Sequence, residues 1–209
     1  MFRIVTLARE FGSGGAIIAR TIAQRLGWTL LDGTLLLRSS VPLDTAIIRR
    51  YDERVDSWWR RFHQNGLRAA AILAGMPPHE ALFGAEAIAR LTFEAILEAA
   101  RAGNCVIVGR GAQCVLQGRE DVLHVFIHAP WANRVSRVYA RTEPGQNIGE
   151  LIRATDRERA RYIRTIYGRD WKDPRLYHMM MNSQVGVDQA ARIIIDTAKE
   201  RSRRPVRVA

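Results

Sequence analysis

Apolar positions along the chain fall into short compact runs separated by stretches of helical spacing. Residues 4–7 (IVTL) are aliphatic and β-branched, and predict a buried strand. Glycines follow at Gly12, Gly14 and Gly15. Beyond them Ile17, Ile18, Ile22 and Leu26 recur at helical spacing, and Gly27 marks the end of that helix. Residues 28–31 predict a short second strand ending at Asp32. Residues 105–108 (CVIV) predict a third, closed by Gly109, Arg110 and Gly111. Residues 123–127 predict a fourth strand, residues 179–181 a fifth, and residues 187–198 a last helix. Strands alternating with helices imply parallel pairing through right-handed crossovers, hence an α/β sandwich.

The stretch from about residue 42 to residue 101 carries no strand pattern. Residues 69–74 and 85–100 are alanine-rich with helical periodicity, broken by Gly75, Pro77 and Pro78. This predicts a helical insertion between the second and third strands. Residues 148–164 predict another helix, rich in arginine. The chain is expected to form one domain over residues 1–200, followed by a basic tail at 201–209.

Composition adds limits. With 209 residues, 47% of them hydrophobic and 25% charged, the chain can bury about 70% of its unfolded surface without a metal or disulfide staple. Its two cysteines, Cys105 and Cys114, exclude a disulfide scaffold and fit a reducing compartment. No apolar run approaches the roughly 20 residues of a membrane helix, and the first residues lead straight into a strand. The expectation is a cytoplasmic protein with no membrane partner. No metal-ligand spacing links His63, His79, His124, His128 and His178 with one another or with the cysteines, so no metal site is expected.

The net charge of +11 comes from 32 basic against 21 acidic residues, and only Lys172 and Lys199 are lysines. Arginine's planar fork matches phosphate oxygens in pairs. The charge points to a phosphate-bearing partner, or else to arginine serving as the general surface cation.

The glycine loop is more specific. Arg9, Glu10, Phe11, Gly12, Ser13, Gly14 and Gly15 lie between a predicted strand and a predicted helix. Glycines allow successive N–H groups to turn toward one anion, and the helix dipole aims at the same place. Gly12, Ser13, Gly14 and Gly15 are therefore the expected phosphate cradle, the alternative being a plain glycine-rich turn. The phosphate-loop pattern G-x-x-x-x-G-K-[ST] supplies a lysine for the β- and γ-phosphates and a hydroxyl for Mg²⁺. Here Gly15 stands at the lysine position and Ala16 at the hydroxyl position. Arg9 is the candidate for the missing charge. A stripe of Arg153, Arg157, Arg161 and Arg164 falls on one helical face and offers further guanidinium groups, the bland reading being a solvated surface.

The chain resembles the cytidylate kinase-like family of P-loop nucleoside monophosphate kinases. The residues that carry the likeness are AREFGSGG at 8–15, LLD at 30–32, VIVGRG at 106–111 and FIHAP at 126–130. DRER at 156–159, YGRDWKDPRLYH at 167–178 and MNS at 181–183 complete the set. The resemblance implies a three-layer α/β/α sandwich of the P-loop NTPase type, with a five-stranded parallel sheet and the helical insertion. It implies ATP as phosphate donor over the glycine loop and a small-molecule nucleotide as acceptor under the insertion. It also implies an arginine-bearing lid over residues 148–175. Asp32, Arg38 and Arg110 match acceptor-binding positions, although Gly111 stands where the family commonly has Asp. Arg157 and Arg161 match the lid.

Phosphoryl transfer needs positioning and positive charge more than covalent chemistry, so Arg9, Arg157 and Arg161 are the expected catalytic residues. Mg²⁺ would come without its usual loop hydroxyl. One alternative is a nucleotide-binding module without catalysis, since the lysine is missing. A nucleic-acid-binding protein ranks third, because no recognised motif accompanies the charge. Trp58 and Trp59 beside Arg60 and Arg61 fit packing of the insertion or a partner subunit, and a homo-oligomer stays open.

Overall fold

The computed structural model describes residues 2–32, 84–142 and 144–200, with no account of the side chains of 84–89 and 91. Arg38, the two tryptophans Trp58 and Trp59, His63, His79, the insertion before residue 84 and the tail at 201–209 lie outside the described residues.

Five strands form one all-parallel sheet. They are β1 (Ile4–Arg9), β2 (Thr29–Leu31), β3 (Cys105–Val108), β4 (Val122–His128) and β5 (Met179–Asn182), in spatial order β2-β3-β1-β4-β5. The central strand β1 pairs Ile4 with Cys105 on one side and with Val122 on the other. The described helices are α1 (Gly15–Leu26), α2 (Gly84–Ala102), α3 (Ala112–Val115), α4 (Trp131–Tyr139), α5 (Ile148–Tyr167) and α6 (Val187–Glu200). None of them is long and apolar enough to cross a membrane.

Side chains of a strand alternate between faces, and here both faces are apolar. Val5, Leu7, Val106, Val108, Val125 and Ile127 point to one side, where Ile18 and Ile22 of α1 and Ile194 and Ile195 of α6 cover them. Ile4, Ile107 and Val122 point to the other, against Ile96 of α2 and Leu116. Ala8 and Phe126 continue that second face beneath Ile163 of α5 and Trp171. Each fully buried aliphatic side chain contributes about 1.5–3 kcal/mol. The result is the expected three-layer α/β/α sandwich.

Three differences from the sequence reading have physical causes. β1 runs on through Ala8 to Arg9, because pairing with β4 continues to Ile127 after the apolar run has ended. α4 was not foreseen: its buried residues are Arg134 and Val138, so its inward stripe contains a charge and shows no apolar period. α5 extends to Tyr167 and is closed by Gly168 at φ 64°.

Candidate phosphate-binding site

β1 ends at the carboxyl edge of the sheet, where open α/β sheets bind ligands. The chain then turns through residues 10–14 into α1. Gly12 and Gly14 hold φ of 78° and 83°, in the left-handed region that costs an L side chain about 1–2 kcal/mol. Gly12 is also confined: a Cβ there would lie 2.8 Å from the Arg134 carbonyl oxygen and 2.9 Å from Val138 Cγ2.

Every carbonyl from residue 9 to residue 14 accepts a hydrogen bond. Arg159 Nη1 donates to the Arg9 oxygen at 3.0 Å, and Ser13 Oγ to that of Glu10 at 2.8 Å. Arg134 Nε donates to Phe11 at 2.7 Å, and Arg137 Nη1 to Gly12 at 3.4 Å. Ser183 Oγ donates to Ser13 at 2.5 Å, and the Ile17 and Ile18 amides to Gly14 at 3.0 and 3.1 Å. In a planar trans peptide the C=O and the following N–H point opposite ways. Drawing the Ser13 carbonyl toward Ser183 therefore turns the Gly14 N–H the other way. The N–H groups of Gly15 and Ala16 belong to the first turn of α1, which has no intrahelical acceptor for them. This is the geometry of an anion nest at a helix N-terminus.

Beneath the loop lies a network of charge. The buried Arg134 guanidinium pairs with Glu10 Oε2 at 3.3 Å and with Asp156 Oδ2. Asp156 Oδ1 accepts the Phe11 N–H at 2.8 Å, and Arg159 Nη1 stands 3.8 Å from it. Lys172 Nζ meets Glu10 Oε1 at 2.6 Å. Burial alone would raise the Glu10 carboxyl, but the Lys172 hydrogen bond and the Arg134 charge outweigh it and hold the group below its ordinary range. Phe11, Val138 and Ile152 pack into a small apolar core among these groups.

Arg9 runs between two glycines. A Cβ at Gly15 would lie 2.7 Å from Arg9 Cβ and 2.9 Å from Arg9 Cγ, and one at Gly109 would lie 2.2 Å from Arg9 Nη1. The Arg9 stem thus takes the space a side chain at residue 15 would need. Its head reaches the end of β3. There a small open cleft is lined by Arg9, Gly109, Arg110, Arg159, Tyr162 and Trp171 among others. Arg110 is buried at φ 59°. Burial lowers its guanidinium to about 10, against the opposing influence of Tyr162, Asp32 and Tyr167. It remains a cation at neutral pH. Gly111 departs from the family's Asp for a visible reason: the Tyr167 ring would stand 2.2 Å from a Cβ there.

The structure thus brings Arg9, Gly12, Ser13, Gly14, Gly15, Asp32 and Arg110 to one edge of the sheet. Arg157 and Arg161 are not brought there. Both are exposed, and Arg157 pairs with Glu150 at 2.5 Å. The inward residues of α5 include Thr155 together with Ile152, Asp156, Arg159 and Ile163, and the last four lie one step around from the arginine stripe. The apolar residues Ile152 and Ile163 carry the signal that would have placed Asp156 and Arg159 inside. Arg134 and Arg137 also escaped the sequence reading, while Lys172 and Ser183 fell inside its motifs without a role, and each acts through a contact across more than 40 residues of chain.

Among the described residues no three acidic, histidine or cysteine side chains gather to hold a metal ion. Ala16 offers no hydroxyl, and Glu10 is taken up by Lys172 and Arg134. At residues 10 and 16 the described donors do not fit a resident Mg²⁺.

The sheet order, the layers and the glycine loop define a P-loop kinase-like α/β protein. The solved structures it resembles agree on the fold: a protein from Eubacterium ventriosum described as uncharacterized (TM-score 0.65, 22% identity, 93% of this chain and 97% of that one). Another is shikimate kinase from Acinetobacter baumannii (TM-score 0.54, 14% identity, 98% and 97%). The cytidylate kinase-like family model matches residues 4–185, and the chain belongs to that family. A cytidylate kinase from Methanosarcina mazei is 32% identical over 83 residues, which are 39% of this chain and 46% of that protein. The match thus spans about half the relative's length.

Proposed function

We propose that this chain is a phosphotransferase that moves the γ-phosphoryl of ATP to a nucleoside monophosphate or another small acceptor. The carrying observation is the loop, whose carbonyls from residue 9 to residue 14 are all engaged so that amides at the start of α1 are left for an anion. Family membership and the cytidylate kinase relative support the nucleotide. Gly12, Ser13, Gly14 and Gly15 cradle the donor's phosphates. Arg9 serves as the cation that the pattern's lysine would supply.

Asp32 and Arg110 face the acceptor from the ends of β2 and β3, and the family likeness adds Arg38, which lies outside the described residues. Of the α5 arginines, Arg159 ranks first for the moving group, since it lines the cleft beside Arg9. Arg157 and Arg161 would have to be carried inward by a rotation of α5, which the Asp156 bond to the loop resists. No step runs through a protein-bound metal.

The test is a coupled phosphotransfer assay with ATP and a panel of nucleoside monophosphates, run beside calorimetric ATP binding. Turnover with at least one acceptor is expected. Binding without turnover on any acceptor supports the second reading, a non-catalytic nucleotide-binding module, which the hydroxyl-free Ala16 favours. Absence of ATP binding sinks both.

A further inference from the structure

Arg134 and Asp156 lie outside the glycine loop, on α4 and α5, yet between them they hold both backbone groups of Phe11. Asp156 Oδ1 takes its N–H at 2.8 Å, and Arg134 Nε gives a proton to its carbonyl at 2.7 Å. Arg134 Nη2 and Asp156 Oδ2 complete the ring by pairing with each other. Their side chains are only 8% and 16% exposed. Arg134 also reaches Glu10 Oε2 at 3.3 Å, and Arg159 stands 3.8 Å from Asp156.

We infer that the Arg134–Asp156 pair positions the phosphate loop, fixing the peptide planes on both sides of Phe11 so that the amides beyond it converge, and thereby couples the loop to the arginine-bearing helix α5. The pair touches no ligand itself. A guanidinium can do this where an ammonium cannot, because its planar fork serves a carbonyl and a carboxylate at once. The pair is expensive to halve, since removing one partner strands the other charge in the interior. That expense is out of proportion to anchoring alone, because Phe11, Val138 and Ile152 already pack the same junction. The inference takes only its ligand from the kinase reading.

The experiment compares Asp156→Asn, Arg134→Met and the double variant Arg134→Met/Asp156→Leu with the parent chain. Three quantities are read: amide hydrogen exchange of residues 10–16 without ligand, the affinity for ATP and for inorganic tripolyphosphate, and the melting midpoint. In Asp156→Asn, exchange at residues 10–16 should quicken at least tenfold while α1 beyond its first turn and the sheet hold their rates. Affinity for both probes should fall at least tenfold. The double variant should regain part of the stability the single variants lose, because neither member of the pair faces the other's vacancy, although Phe11 loses both backbone partners and Glu10 loses Arg134; it should regain none of the affinity. If affinity returns together with stability, or if exchange in Asp156→Asn keeps the parent rate, the pair is mere anchoring and the inference falls. Should Asp156→Asn not fold, the double variant decides by the same two readings. A parent chain that binds neither probe refutes the kinase reading, and the exchange rates alone then decide this one.

Discussion

The Arg9 stem and the missing side chain at residue 15 can be tested as one unit. Gly15→Ala is the smallest perturbation. Its new Cβ would sit 2.7 Å from Arg9 Cβ and 2.9 Å from Arg9 Cγ, with Leu7 Cδ2 at 3.2 Å. The first two atoms are the anchored end of a side chain on the central strand and cannot swing aside. Overpacking of this kind costs about 1–3 kcal/mol. Gly15 opens α1, where the helix-interior propensity of alanine returns little, so Gly15→Ala should be destabilising by about 1–3 kcal/mol. Arg9→Ala would leave the Cβ in place, so the relieving change is Arg9→Gly. Arg9→Gly/Gly15→Ala should therefore be more stable than the sum of its parts by about 1–3 kcal/mol, read from urea denaturation midpoints at constant slope.

The same pair then tests the charge. A hydrogen bond to a charged group contributes about 1.5–3 kcal/mol, so Arg9→Gly should weaken ATP binding roughly 10- to 150-fold. Arg9→Gly/Gly15→Lys rebuilds the pattern's lysine in the space vacated, and should regain at least tenfold of that loss by calorimetry. Additive stabilities, or a Gly15→Ala variant as stable as the parent, would refute the packing argument. Unchanged ATP affinity in Arg9→Gly would refute the assignment of Arg9.

Further outcomes follow from single positions. Gly12→Ala meets both a φ of 78° and the Arg134 backbone at 2.8 Å, whereas Gly14→Ala meets only the φ of 83°, its nearest neighbour being 3.6 Å away. Gly14→Ala should cost about 1–2 kcal/mol and Gly12→Ala at least about 1 kcal/mol more, as thermal or urea unfolding will show. Gly111→Ala should be destabilised by about 2–5 kcal/mol through its φ of 74° and the Tyr167 ring, and Tyr167→Ala should relieve the steric part in the double variant. Burial, with help from His178, lowers the His124 imidazole from 6.5 to about 4, while Thr6 Oγ1 holds its Nδ1 at 2.7 Å. Between those values the unfolded chain binds the proton and the folded chain does not. Stability should therefore be full above about pH 6.5 and fall by up to about 3 kcal/mol as the pH drops toward 4. Urea unfolding from pH 4 to 7 should show that slope in the parent and a smaller one in His124→Gln.

The strands were legible because a parallel sheet covered on both faces requires unbroken aliphatic runs, and residues 4–7 and 105–108 supply them. The glycine loop was legible because positive φ selects glycine at residues 12 and 14. What surrounds the loop was not. α4 hides its inward stripe behind Arg134, and α5 presents two stripes that differ by one step of rotation. Helical spacing drew out the four arginines of the outer stripe, and the family likeness favoured Arg157 and Arg161 among them. Asp156 and Arg159 sit with Ile152 and Ile163 on the inner one. Gly111 could be seen as a departure from the family pattern, but its cause, Tyr167, is 56 residues away along the chain, a separation that no local period reports.

The arginine excess also acquires a second meaning. Arg134, Arg137 and Arg159 each give a donor to a loop carbonyl, and Arg119 and Arg3 do the same for the last turn of α2 at Ala100 and Ala102. Guanidinium groups here finish backbone that secondary structure leaves open, a role in which five donors on one plane matter more than the charge. The charge is not lost by this use. Arg9, Arg134, Arg137, Arg159 and Lys172 gather about the loop, and among the described residues Glu10 and Asp156 are the acids paired with them there. The surplus lies largely behind the peptide groups, where partial burial limits its screening by salt. An anion over α1 would feel that surplus through the amides. A lysine reaching from residue 15 is one way to charge such a loop; a ring of arginines bonded to its outer face is another, and it shapes the loop while charging it.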